Sequence, residues 1–191
     1  MKKLISHFNR LSRNVQILFA TSLFVIIMVV FVYATAQQIL RSGADDPQIQ
    51  MAEDASILLQ NQSPMGPIVP DRAVEVSQSL APFLQIYDEK GSLLDANVML
   101  HGKSLTISKS ALDYAKDHGE NRLTWQPEKG VRIAAVVSYY QGQYPGFVVA
   151  GRSLRETENR IGNVGKLCFL AWAGMMMVLG SLYYFFIKSP R

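Results

Sequence analysis

Two uninterrupted apolar stretches, residues 15–36 and 167–187, bracket almost everything else in this 191-residue chain. A helix needs about 20 residues to cross the hydrocarbon core of a bilayer, and each stretch reaches that length without one charged side chain. The first holds 13 residues of the Leu, Ile, Val or Phe type. At ~0.3 to 0.6 kcal/mol each near the helix centre, they favour insertion strongly. The second is less aliphatic and carries Trp172, Tyr183 and Tyr184 around Met175, Met176 and Met177. Burial inside a soluble core is the alternative, but the remaining chain is too small a body to enclose two such helices.

The chain therefore divides into a basic tail (1–14), a first membrane helix (15–36), a folded segment (37–166), a second membrane helix (167–187) and a short tail (188–191). Charge sets the expected orientation. Lys2, Lys3, Arg10 and Arg13 carry the first tail with no acid, and Lys188 and Arg191 carry the last, so both termini are expected in the cytoplasm. The other 13 basic residues and all 15 acidic ones lie between, so the folded segment is close to neutral. Basic tails beside an anionic leaflet account for the pI of about 9.2, and nucleic acid is not an expected partner. Ala34-Thr35-Ala36 has the look of a signal cleavage site. The apolar stretch before it exceeds the 7–15 residues of a signal h-region, so an uncleaved anchor is expected.

The folded segment has the length of one domain. Asp46-Pro47 reads as a helix start, with Ile49, Ala52, Ala55, Ser56 and Leu59 along one side to about Asn61. The prolines and glycine over 63–70 indicate a loop. Phe83-Leu84-Gln85-Ile86-Tyr87 is a strand, Asp88-Glu89-Lys90-Gly91 a tight turn, and Ser92-Leu93-Leu94-Asp95 the returning strand. Residues 108–118 form a helix closed by Gly119, and strands follow over 122–125, 131–140 and 145–152. Ser153-Leu154-Arg155-Glu156 has capping-box form and opens a last helix. The fold class is α+β: an antiparallel sheet of about five strands with flanking helices, set on one side, bracketed by two transmembrane helices. Leu154, Thr157, Ile161 and Val164 make a narrow seam that leads into the second membrane helix. Gly162 and Gly165 interrupt that helix as a candidate hinge. Ala171, Ala173, Gly174 and Gly180 give it a partly small face suited to close packing against the first helix or another copy.

The segments Phe83-Leu84-Gln85-Ile86-Tyr87-Asp88-Glu89-Lys90-Gly91-Ser92-Leu93-Leu94 and Gly146-Phe147-Val148-Val149-Ala150-Gly151-Arg152-Ser153-Leu154-Arg155-Glu156 resemble the extracytoplasmic PAS-like (Cache-type) sensor region of bacterial membrane histidine kinases. The resemblance spans about 37–187. It implies a PAS-like sheet outside the cytoplasm of a bacterial cell, anchored in the inner membrane by two helices and serving two-component signal transduction. The sequence departs from such kinases where it ends four residues after Ile187, without a Gly-rich nucleotide loop or a cytoplasmic acceptor histidine beyond His7. A separate membrane protein is therefore the expected receiver of any signal, with a homodimer through the helical seam as a further expectation.

Chemistry-bearing residues are sparse. His7, His101 and His118 are scattered, Cys168 stands alone in the second apolar stretch, and no nucleophile has a base at useful spacing. No catalytic activity, metal or cofactor is expected. If a small-molecule ligand binds, Tyr87, Trp125, Arg132, Tyr139 and Arg152 are the candidates to line its pocket on the concave side of the sheet, an arginine beside aromatics being suited to an anion. The plainer reading makes Trp125 and one of Tyr139 or Tyr140 core, with Arg132 and Arg152 facing solvent. Alternation groups Arg132 with Tyr140 and sets it against Tyr139. An accessory or docking subunit that senses no ligand fits the same features.

Overall fold

The computed structural model describes residues 13–44, 46–61 and 68–188. Lys2, Lys3, His7 and Arg10 of the basic tail, most of the expected loop over 63–70, and residues 189–191 lie outside the described residues. The chain forms two compact units, one of residues 40–159 and one that joins the two ends of the chain.

The second unit is a helix pair, α1 (Arg13–Ser42) and the greater part of α4 (Arg155–Lys188). Both are long and apolar enough to cross a membrane. Phe24, Phe31, Phe169 and Met177 stand on their outer surfaces, a distribution suited to hydrocarbon rather than water. The hydroxyls of Thr21 and Ser181 donate to the carbonyls of Ile17 and Met177 one turn earlier, which leaves no stray polar donor on those side chains. Helix α4 passes Gly162 and Gly165 unbroken. A Cβ at Gly165 would lie 3.3 Å from the Tyr33 ring, so the helices approach closely there. Below it, Met28, Val29 and Val32 line an apolar groove with Cys168, Ala171 and Met175.

In the central unit, α2 (Asp46–Gln60) and α3 (Lys109–His118) accompany two sheets. The larger contains β2 (Phe83–Asp88), β3 (Leu93–Ala96), β6 (Glu120–Glu128), β7 (Val131–Tyr140) and β8 (Gly146–Ser153), all antiparallel in the order β3-β2-β8-β7-β6. The expected five-stranded antiparallel sheet is present. A smaller sheet, which the sequence reading missed, joins β1 (Val74–Glu75), β4 (Val98–Leu100) and β5 (Lys103–Ser104), with β1 parallel to β4.

The expectation of helices on one side is corrected by the packing. Leu84, Ile86, Val136, Val148 and Ala150 face Ala52 and Ala55 of α2. The alternate residues Tyr87, Val137, Phe147 and Val149 face Ala111, Leu112 and Ala115 of α3. Beside them Phe83, Ile133 and Ala135 meet Val74, Val76 and Val98 of the small sheet. A strand covered on both faces reads as a continuous apolar run, which is what Ile133-Ala134-Ala135-Val136-Val137 supplies.

Two glycines fix local geometry. Gly91 adopts φ 86° to close the β2–β3 turn, where Asp88 accepts from the Gly91 amide and its carboxylate from the Ser92 amide. A Cβ at Gly151 would run into the Phe83 ring across the β2–β8 ladder, so the ring occupies space that only glycine leaves open.

Candidate functional site: the root of helix α4

Strand β8 lies between β2 and β7 and hands the chain to α4 through Leu154 alone. That junction is held by side chains from three directions. The Arg155 guanidinium donates to the carbonyls of Ser77 (2.9 Å) and Gln78 (2.6 Å), and Arg152 Nε donates to Leu80 (2.8 Å). Arg132 on β7 reaches Glu158 in the first turn of α4 at 2.6 Å, and the Leu154 amide donates to the Arg132 carbonyl. The Arg132–Glu158 pair is about 40 % exposed on both sides, so alone it is worth about 0.2 to 1 kcal/mol. Guanidinium bonds to these loop carbonyls add orientation as well as energy.

The expected capping box takes another form. The Ser153 hydroxyl belongs to β8 and accepts from the Arg155 amide two residues on, at 3.4 Å, and the helix begins at Arg155. The sheet continues one residue further than its sequence signal suggests, because Ser153 pairs with Ile133.

The five candidate pocket residues fall on opposite faces of the sheet. Tyr87 is buried, and its hydroxyl accepts from the Ile107 amide at 3.0 Å; burial pushes its pKa up, so it stays neutral. Trp125 and Tyr139 pack at the margin of the same face, Tyr139 against Phe147 and beneath Lys116, whose ammonium lies 5.8 Å from the ring. Lys116 also bonds Glu89 at 2.8 Å, which raises its pKa. By strand alternation Arg132 and Arg152 belong to the α2 face. The structure brings Tyr87, Trp125 and Tyr139 together as one group and the two arginines as another at the root of α4.

The seam residues Leu154, Thr157, Ile161 and Val164 are all half-buried along one stripe of α4. Its continuation through Gly165 and Cys168 is turned toward Tyr33, Val29 and Val32 of α1 in the same chain. His118 ends α3 as expected, its ring stacked on Tyr114 and its Nδ1 at 3.0 Å from the Tyr114 carbonyl.

A second cluster escaped the sequence reading. Glu75 Oε1 accepts from the Ser77 hydroxyl (2.7 Å) and the His101 amide (3.0 Å), and Oε2 accepts from the Gly102 amide (3.1 Å). The Ser77 hydroxyl, seconded by the two backbone donors, holds its pKa down to about 2. His101 sits at φ 52°, and its Nε2 meets Glu128 at 2.8 Å, which joins the β4–β5 turn to the end of β6. These residues lie 26 to 27 positions apart, and no local spacing announces them. No protein-family model matches the chain, and no curated protein matches it.

Proposed function

We propose that this is a two-pass membrane protein whose central domain lies outside the cytoplasm and acts as a sensor-like, PAS-like module. It passes its state through α4 to a separate membrane partner and has no catalytic activity of its own. The observation that carries this reading is the junction at Leu154: a strand from the middle of the sheet continues into an apolar helix with no linker, gripped by Arg132, Arg152 and Arg155. A shift of β8 relative to its neighbours has no slack in which to dissipate. The basic tails support cytoplasmic termini.

A second reading, an accessory subunit that docks another protein and senses nothing, is favoured by the filled face beneath α3. There Tyr87, Phe147 and Leu112 are each 1 % exposed and pack together as core. The full chain in detergent, screened against small metabolites by thermal shift, separates the two. A specific ligand raises Tm by mass action and supports sensing. No shift across a broad panel, together with a co-purifying membrane protein, supports docking. Recovery from native membranes alone, with no ligand response, overturns both.

A further inference from the structure

Glu75 holds two structures at once. Its side chain binds the His101–Gly102 turn of the small sheet, while its own carbonyl accepts from the amides of Gln78 and Ser79. Those bonds shape residues 76–81 into a tight strap between β1 and β2. The Ser79 hydroxyl closes it by accepting from the Ala81 amide, and the Val76 amide ties its near end to Met99 of β4. The far side of the same strap supplies the Ser77, Gln78 and Leu80 carbonyls that Arg155 and Arg152 grip. Ser77 touches both ends of the path, its hydroxyl on Glu75 and its carbonyl on Arg155. Each step is a hydrogen bond, and the whole path lies within residues 40–159.

We propose that residues 76–81 are a transmission strap that couples the Glu75-held turn of the small sheet to the first turn of α4. Contiguous hydrogen-bond networks of this kind carry coupling when both ends bias one element. The strap is that element: releasing the Glu75 carboxylate frees the Ser77 hydroxyl, and with it the Ser77 peptide whose carbonyl Arg155 grips, to reorient. The first turn of α4 then loses contacts that hold it to the domain. The inference deepens the signalling reading, which supplies the use of the movement.

Hydrogen exchange on the full chain in detergent tests it. Glu75→Gln, which keeps the shape and weakens the acceptor, is expected to speed exchange at residues 98–104 and also at 154–159, by about five-fold at the latter, the scale of one lost hydrogen bond. Arg155→Gln is expected to act in reverse and speed exchange at 98–104. Glu89→Gln, which releases Lys116 elsewhere, should leave 154–159 unchanged. A Glu75→Gln effect confined to 98–104, an Arg155→Gln effect confined to 154–159, or an equal response to Glu89→Gln overturns the proposal. Should Glu75→Gln unfold the domain, seen as lost protection in β8, Ser77→Ala takes its place with the same readouts. Coupling found without any membrane partner leaves the strap standing and removes the signalling reading; a partner without coupling does the reverse.

Discussion

Individual residues carry sharp consequences here because the sheet is packed on both faces. Gly151→Val would drive a branched side chain into the Phe83 ring, in a strand with no free side to bend toward. Overpacking of that kind costs about 1 to 3 kcal/mol. Urea unfolding, followed by Trp125 fluorescence in a Trp172→Phe background, should show the midpoint fall accordingly. Glu75 makes a different prediction. Its folded pKa of about 2 lies below the ordinary 4.5, so its stabilising effect is complete above pH 4.5 and is lost as pH falls from there toward 2. The His101 and Gly102 amide resonances should titrate with a midpoint near 2 and stop titrating in Glu75→Gln. A midpoint near 4.5 would mean that the carboxylate is not bonded to them.

Elements were legible in proportion to their length and periodicity. The β-branched-rich stretch 131–137 announced β7, and Asp88 with Gly91 announced the β2–β3 turn, since both are written in contiguous residues. The small sheet was not legible, because β1 and β5 are two residues each and show no period to read. Nor was the placement of helices on both faces, because a strand buried twice loses the alternation that tells one face from the other. The candidate site was half legible: Arg132, Arg152 and Leu154 were singled out, but Glu158 opposite Arg132, the Leu80 carbonyl opposite Arg152, and the Ser77 and Gln78 carbonyls opposite Arg155 lie far along the chain or are backbone groups common to every residue. At this scale the helix pair makes its own prediction. Val32 and Cys168 line one groove within a single chain, so Val32→Cys should form an intrachain link with Cys168 under a short thiol crosslinker, read as a mobility shift at monomer mass. A band at twice that mass, without the intrachain shift, would place the seam between copies.

The molecule as a whole is a domain whose entry and exit segments both belong to long apolar helices. On the proposed orientation, which puts both termini in the cytoplasm, protease added to spheroplasts should cut within 40–159, while tags at either end survive until the membrane is broken. Protection of the central domain in intact spheroplasts would reverse the orientation and with it the sensor reading.

Strand β8 owes its position to ladders on both sides, six residue pairs with β2 and eight with β7. Margins such as β3 and β6 have a single neighbour each and are free to fray. The helix is thus moored to the keystone of the arch rather than to its rim, and warming the domain should erode its outskirts long before that mooring slips.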